Sequence, residues 1–365
     1  MAVTRAEVAA LAGVSPAVVS YVINGGPRPV AAQTRLRVQA AIDELGYRPN
    51  RIAAALRGGM TRSIGLLTPS PGNPFFAEVA EALVRELFDR GNTLSIGITD
   101  DDLPRERLYL RSFLDRQVDG IILTSAQAVR TLEQVQMPRV PVLVIDRVGK
   151  DDAPMFSRVH VDNEHGAQLA TEHLQGHGHR VIGCVAGPWP VPLSDERVRG
   201  WRQQQEAVGE DPRPTLVEHA EFSEIGGYAA ASALLGPDSR REASGVPMPS
   251  ALFVASDVQA IGVILACREL GLRVPEDIAI VSFDGTAAGR YSNPPLTSVR
   301  QPVVDMARLA VGALLERIHD PSLEPMHEAL KGNLVVGESC GCSAPVADRH
   351  TASCADSGSP AQSTR

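Results

Sequence analysis

Gly13-Val-Ser-Pro-Ala-Val-Val-Ser-Tyr-Val-Ile-Asn24 is the stretch on which the reading of this chain turns. Just upstream, Arg5 to Leu11 has helical spacing, with Val8 and Leu11 on one face. Gly13 breaks that helix and Ser15 restarts it. Ser15 is a good N-cap, and Pro16 falls at the first helical position, where its missing N–H costs nothing. Val18, Val19 and Val22 then face back onto the first helix. Two short helices across a tight glycine turn predict a helix-turn-helix, whose second helix enters the DNA major groove. A helical hairpin capping a larger domain has the same local pattern. A third helix is predicted from about Thr34 to Leu45, apolar at Leu36, Val38, Ala41, Ile42 and Leu45. Thr34 also offers a hydroxyl to a phosphate. Gly46 stops this helix, and Tyr47-Arg48-Pro49-Asn50 reads as an extended link.

The charge map separates the two readings of the hairpin. Residues 1–62 hold eight arginines, no lysine and three acids, a net charge of +5 on a chain whose total is −8. A basic head on an acidic body is the footprint of a part that meets phosphates, although an arginine run is also a common solvated face. After the head, Asn50-Arg51-Ile52-Ala53-Ala54-Ala55-Leu56-Arg57 is Ala-rich and helix-prone, and Gly58-Gly59 end it. Eight residues are too few to hold a helix alone in water. The segment reads either as a plain linker or as a hinge that folds on a partner.

From residue 62 onward, strand and helix patterns alternate. Strands are predicted at Ser63–Thr68, Leu94–Ile98, Gly120–Thr124, Val142–Ile145, Val181–Ala186, Ala251–Ala255 and Ile278–Ser282. Helices are predicted at Phe75–Arg90, Arg105–Arg116, Ala128–Gln136, Asn163–Gly176, Asp195–Val208, Glu224–Leu235 and Val258–Leu270. Repeated βα units argue for parallel sheets covered by helices, and two such series argue for two lobes. The 365 residues and 44% hydrophobic content can build that core. No run of 18 apolar residues predicts a membrane span, and no signal-peptide pattern opens the chain. The five cysteines are odd in number and scattered, and read as reduced cytosolic thiols. Cys340-Gly-Cys342 lacks a second ligand pair, which argues against zinc. His173, His177 and His179 read as a solvated helix end, frayed by Gly176 and Gly178. No phosphate loop, GxSxG elbow, HExxH pair or Cys/His nucleophile pairing is found, so no catalytic residue, cofactor or metal is expected.

Ligands of open α/β sheets bind at the strand carboxyl ends, and polar residues fall there. Asp146 follows the strand at 142–145, Ser256-Asp257 the strand at 251–255, and Phe283-Asp284 the strand at 278–282. Arg197 and Trp201 lie on the helix after the strand at 181–186. Carboxylates accept from vicinal hydroxyls, and Arg supplies a planar fork of donors. Phe75, Phe76 and Phe222 are apt to stack on a flat ring or a sugar face. Each also has a plainer role: an Asp after a strand caps a helix, and a Phe at a helix start fills a core.

Thr4, Val8-Ala9, Ala12-Gly13-Val14-Ser15, Val19-Ser20, Val22 and Asn24, then Thr34, Gly46-Tyr47 and Pro49-Asn50, resemble the head of the lactose-repressor (LacI/GalR) family of bacterial transcription regulators. The resemblance continues to about residue 340 through Asn73-Pro-Phe-Phe76, Asp162-Asn163, Arg197 to Trp201, Ser256-Asp257, Val281-Ser-Phe-Asp284 and Pro295 to Pro302. It implies DNA contacts at Thr4, Ser15, Pro16, Ala17, Ser20, Tyr21, Asn24 and Thr34. In the hinge it implies contacts at Asn50, Arg51 and Ala53, with Leu56 wedged into the minor groove. It implies effector contacts at Asp146, Arg197, Phe222, Ser256 and Asp284, which Phe75 and Phe76 join as stacking aromatics. Glu7, Val18 and Tyr21 stand where the family usually has Asp, Thr and Arg, and Ser256 where it commonly has Asn. Gly187-Pro-Trp-Pro-Val-Pro-Leu193 is unusually apolar where relatives often carry polar ligand contacts.

The expected architecture is therefore α/β, with an all-α helix-turn-helix head (1–46), a hinge (47–61) and a two-lobed core similar to periplasmic sugar-binding proteins (62–342). The first lobe is placed at about 62–160 plus 292–320, the second at about 161–291 plus 321–342, and 343–365 is read as a disordered tail. The expected function is a homodimeric cytoplasmic repressor of operator DNA controlled by a sugar-like or related metabolite in the cleft. An activator of the same family and an exported solute receptor are the alternatives. The receptor would need an export signal and no basic head.

Overall fold

The structure, a computed structural model, describes residues 3–24, 29–47, 60–125, 128–135, 140–147, 156–237 and 245–343. The chain divides into two compact units, Met1–Thr61 and Arg62–Arg365.

In the first unit, α1 (Arg5–Ala12) begins at Thr4. The Thr4 hydroxyl accepts from the Glu7 backbone N–H at 3.3 Å, and the Glu7 carboxylate accepts from the Thr4 N–H at 2.6 Å. This reciprocal capping box is what Glu7 contributes in place of the family's Asp. Gly13 takes the left-handed conformation, φ 64°, that closes the helix. α2 (Pro16–Asn24) then starts behind Ser15, whose hydroxyl accepts from Val18 N–H at 3.4 Å. The two helices turn through 101°, within the helix-turn-helix range. α3 (Ala32–Leu45) closes the bundle, stopped by Gly46 at φ 60°. Val8, Ala9, Ala12, Val19, Val38, Ala41 and Tyr47 form its core, with Val22, Ile42 and Leu45 packed against it.

Two positions read as interior lie outside. Leu11 is 48% exposed and Leu36 is 70% exposed. Leu36 precedes Val38 by two residues, about 200° around the helix, so α3 cannot bury both in so small a bundle. Leu11 falls at the margin of the narrow stripe formed by Val8, Ala9 and Ala12.

Among its described residues the second unit contains two six-stranded sheets. The first has the order β11 (His327–Leu330), β5 (Ser157–Val161), β4 (Val142–Ile145), β3 (Gly120–Leu123), β1 (Ser63–Thr68), β2 (Thr93–Ile98), all parallel. The second has the order β12 (Asn333–Val335), β10 (Thr297–Arg300), β9 (Ala279–Asp284), β8 (Ala251–Val254), β6 (Ile182–Ala186), β7 (Val217–His219), parallel except for the β10–β12 pair. β1, β3, β4, β6, β8 and β9 are almost wholly buried, which matches their mainly apolar sequences. Helices α4 (Pro74–Asp89), α5 (Leu103–Asp115), α6 (Ala128–Val135) and α12 (Val303–His319) pack on the first sheet. Helices α7 (Asn163–Gly176), α8 (Pro192–Ala207), α9 (Glu224–Leu235) and α10 (Asp257–Glu269) pack on the second, and the single turn α11 (Ala287–Arg290) packs on α10.

The lobe boundaries expected from sequence need correction at the two later crossings. Thr297–Arg300, assigned to the first lobe, pairs in register with Val281–Asp284 in the second sheet. His327–Leu330, assigned to the second lobe, pairs with Arg158–Val161 in the first. These strands are four residues long and β11 is largely exposed, so neither carries an apolar pattern that announces its sheet. The chain thus crosses between lobes at residues 161–163, 300–303 and 330–333. The crossings touch: Asp162 N–H donates to the Leu330 carbonyl at 2.8 Å. A Cβ on Gly332 would lie 2.9 Å from a Val299 methyl and 3.0 Å from the Arg300 carbonyl, so a larger residue there would crowd the crossing. Among the described residues, no single helix is long and apolar enough to cross a membrane.

Candidate functional site

The carboxyl ends of β4, β6, β8 and β9 open onto one cavity between the lobes. Phe75, Phe76, Asp146, Arg197, Phe222, Ser256 and Asp284 all line it, together with Asn73, Arg147 and Leu193. The first lobe contributes the start of α4. Asn73 caps that helix, accepting from Phe75 N–H at 3.0 Å, and this fixes the two aromatic rings edge to face with centroids 5.4 Å apart. Arg147 lies over the Phe76 ring at 5.7 Å and is held by Asp101 at 2.5 Å. Nothing in the sequence pattern had singled out Arg147. Its position one residue past the carboxyl end of a buried strand is the signal that was available.

The second lobe contributes a hydrogen-bonded chain of buried polar groups. Gln301 Nε2 donates to Asp284 Oδ1 at 2.8 Å, and Arg197 Nη1 lies 3.8 Å from the same oxygen. Arg197 Nε donates to Asn163 Oδ1 at 2.9 Å, and Asn163 Nδ2 donates to Glu196 at 2.8 Å. Arg197 also donates to the Ala255 carbonyl, and its guanidinium lies 3.7 Å from the centroid of the Phe283 ring. Asn163 and Gln301 stand at two of the three interlobe crossings. The network around Arg197 therefore reaches the hinge of the core directly.

Asp146 and Asp284 share three properties. Both have positive φ, 71° and 112°, a conformation costly for a residue with a Cβ and commonest at functional sites. Both are about 96% or more buried. Each has a carboxylate oxygen, Oδ1 of Asp146 and Oδ2 of Asp284, with no hydrogen-bond partner among the described residues. Burial pushes the Asp284 carboxyl well above the ordinary range; Arg197 opposes this and Asp257 adds to it. Burial likewise raises Asp146, against Arg197 and Arg147. Burial depresses Arg197, against the pull of Asp284 and Asp146. An unpaired carboxylate oxygen in so dry a place is costly until a donor reaches it.

Ser256 lines the cavity, but its hydroxyl already caps α10, accepting from Gln259 N–H at 3.3 Å and donating to Gln259 Oε1 at 3.0 Å. Asp257 is a structural node: Ser282, Ser298 and Thr286 all donate to it at 2.6–2.8 Å. Trp201, grouped with Arg197 in the sequence, is fully buried in the core and does not line the cavity. Of the apolar loop at 187–193, Leu193 reaches the cavity while Trp189 is 71% exposed. Phe222 packs so closely on Gly187 that a Cβ there would lie 2.2 Å from its ring.

On the head, Pro16 and Ala17 are exposed, and Ser20, Tyr21 and Thr34 are half-buried. Ser15 and Thr4 act as helix caps. Asn24 is the last residue of α2. Asn50, Arg51, Ala53 and Leu56 of the hinge, and the tail beyond Ser343, lie outside the described residues.

The two metal readings set aside on sequence grounds also meet. His173 and His177, read as a solvated helix end, face Cys340 and Cys342, read as a pair without a second pair. The missing pair lay about 165 residues away.

Residues 4–50 match the model of bacterial regulatory proteins of the lacI family, and residues 171–340 match a periplasmic binding protein-like domain. The HTH-type transcriptional repressor PurR of Aliivibrio fischeri is 34% identical over 325 residues, covering 88% of this chain and 93% of the relative. The chain belongs to the lacI family. PurR of Proteus mirabilis is 36% identical over 318 residues, 86% of this chain and 90% of that one. Among solved structures, the lac repressor dimer bound to operator and the anti-inducer ONPF superposes with a TM-score of 0.79 at 27% identity, over 93% of this chain and 99% of that one. A complex of the transcriptional regulator CelR with cellobiose has 32% identity and a TM-score of 0.66, over 92% of this chain and 99% of that one. These lacI-family relatives are transcriptional regulators, not enzymes.

Proposed function

We propose that this lacI-family chain is a homodimeric repressor whose operator affinity is set by a small hydroxyl-bearing metabolite held between Asp146 and Asp284. The observation that carries the reading is the pair of buried, strained carboxylates, one from each lobe, each with an unpartnered oxygen on the same cavity. Two such acceptors facing each other suit the vicinal hydroxyls of a sugar or a related polyol, and Phe75, Phe76 and Phe222 suit its flat faces.

The mechanism follows from the crossings. A ligand that donates to Asp284 and Asp146 stabilises the arrangement in which both lobes reach it. Asn163 and Gln301 transmit that choice to the hinge of the core, since both hydrogen-bond the Arg197–Asp284 network and both lie where the chain changes lobe. The ligand shifts operator binding only by its differential affinity for the two lobe arrangements, and the coupling is reciprocal. In the head, Tyr21 is the polar reader of base edges, beside Pro16 and Ala17, which offer only apolar contact to thymine methyls. Leu56 is the minor-groove wedge and Arg51 a phosphate contact.

The test uses the full chain. Enrichment from a random duplex pool identifies the operator, and a thermal-shift screen of sugars, nucleosides and their phosphates identifies the effector. A compound that raises Tm should change operator anisotropy at fixed salt. A tight ligand with no effect on operator affinity would sink the allosteric reading, and failure to enrich any sequence would sink the operator reading.

A further inference from the structure

We propose that His173, His177, Cys340 and Cys342 form a four-ligand zinc site that clamps the end of the second lobe's last strand segment to helix α7. The site is remote in role from the cleft. His173 and His177 are four residues apart at the C-terminal end of α7, so both imidazoles project from one face, with ring centroids 4.9 Å apart. Opposite them, Cys340-Gly-Cys342 follows β12. Gly341 has a positive φ of 93°, and it separates the two thiols by one residue in a turn closed by the Gly341 N–H to Glu338 carbonyl bond at 3.1 Å.

Three nitrogen–sulfur distances suit a coordination sphere. His173 Nε2 lies 3.3 Å from Cys340 Sγ and 3.8 Å from Cys342 Sγ, and His177 Nε2 lies 3.2 Å from Cys342 Sγ. All four donor atoms fall within 4.8 Å of one another. A tetrahedron with Zn–S of about 2.3 Å and Zn–N of about 2.05 Å has an N–S edge of about 3.6 Å, which the observed distances bracket. Two thiolates and two imidazoles are the donor set of structural zinc sites, and no carboxylate is present in the cluster to favour a harder ion.

The surroundings support a ligand role. Thr297 Oγ1 donates to Cys340 Sγ at 3.0 Å and itself accepts from Gly337 N–H at 2.8 Å, which orients a donor at the sulfur in the manner of an outer-shell partner. Cys340 is buried while His177 is exposed, so the site has a dry floor and an entry path. Binding releases the two thiol protons to solvent, leaves both imidazoles neutral, and changes no oxidation state. The consequence is a cross-link between residues some 165 positions apart. α7 carries Asn163 at its other end, so the same helix is held by metal at one terminus and by the cleft network at the other.

The experiment uses the full chain without added histidine tags, produced in zinc-supplemented medium, with elemental analysis after exhaustive dialysis. About one zinc per chain is expected. His177→Gln, at an exposed position, and Cys342→Ser should each weaken zinc binding at least about tenfold, with the fold checked by circular dichroism and operator binding. Chelator treatment should lower the Tm of the wild type, and zinc should restore it, with no such response in the variants. Cobalt substitution should give visible absorption and a sulfur-to-cobalt charge-transfer band that falls in Cys342→Ser. Retention of one zinc by a chain carrying both His177→Gln and Cys342→Ser would place the metal elsewhere and overturn the proposal. So would a wild-type chain that stays metal-free with one equivalent of zinc present, or one that gives a Cys340–Cys342 disulfide with a mass lower by two hydrogen atoms.

Discussion

The two walls of the cleft are built differently. On the second lobe, Asp284 is gripped by Gln301 and faces Arg197, which in turn holds Asn163 and the Ala255 carbonyl. On the first lobe, Asp146 stands beside two phenyl rings, and Arg147, its neighbour in sequence, is committed to Asp101 and the Phe76 face. One wall is a preorganised polar array, the other an aromatic platform with a single loosely supported carboxylate. The polar wall is suited to fix the orientation of a ligand in advance, because its side chains are already ordered. The aromatic wall is suited to close on a ligand that the polar wall has oriented.

The sharpest way to break this contrast is to remove the centre of the polar wall. Arg197→Ala leaves Asp284 without its cation and the Ala255 carbonyl without its donor. Breaking a buried pair in this way costs about 3–5 kcal/mol, so urea unfolding should show a loss of that size. A loss below about 1 kcal/mol would mean that the network is not preorganised. Next, Asp284→Ala should weaken the effector by about 2–5 kcal/mol, at least about 30-fold, while operator binding by the unliganded protein persists. Wild-type affinity by calorimetry would reduce Asp284 to a cap.

On the other wall the expected effects are smaller and differ in sign. Asp146→Asn should weaken the effector by about 1.5–3 kcal/mol, the worth of a hydrogen bond to a charged group. Its effect on the unliganded fold should be neutral or favourable. Burial raises the Asp146 carboxyl, so the folded chain keeps its proton to a higher pH than the unfolded chain does. The stability this contributes is present below the ordinary carboxylate range and is lost as pH rises through the raised value. Asparagine has no such loss, so the Tm of the variant relative to wild type should climb from acid towards neutral pH. A difference that stays flat with pH would contradict the raised carboxyl. The smallest effect is expected for Phe76→Leu, which nearly conserves volume. It should cost about 0.5–1.5 kcal/mol of effector affinity if the ring stacks, measured against a non-cyclic polyol as control. An equal loss for cyclic and open-chain ligands would remove the platform from the scheme.

Much of this was legible in residue order. The glycine turn at Gly13 and the cap at Ser15 act within a few residues, so the angle of the head follows from local chemistry alone. Apolar runs such as 142–145 and 251–254 are buried on both faces, and parallel strands of that kind declare themselves. The acids and aromatics placed just past those runs landed on one cavity because parallel strands all deliver their carboxyl ends to the same edge. The signal failed where elements are short and lack an apolar run. Thr297–Arg300 and His327–Leu330 each exchanged lobes relative to expectation, since a four-residue strand has too little pattern to choose a sheet. Leu11 and Leu36 look like core and are not, because a three-helix head has no volume left for them.

The sequence by itself determined the α/β class, the helical head with its basic charge, the membership of strands in two parallel series, and the chemical types at the strand ends. These depend on periodicity, caps and composition, all of which are properties of neighbours in the chain. Only the tertiary structure decided which lobe each late strand joins, that Asn163 and Gln301 link the cleft to the crossings, and that Arg147 belongs to the site. It also decided that His173 and His177 meet Cys340 and Cys342. Each of these is a pairing across tens to more than a hundred residues, set by how two sheets and their helices pack. A pattern read along the chain carries periodicity, but the distance between two remote side chains exists only once the backbone has closed on itself.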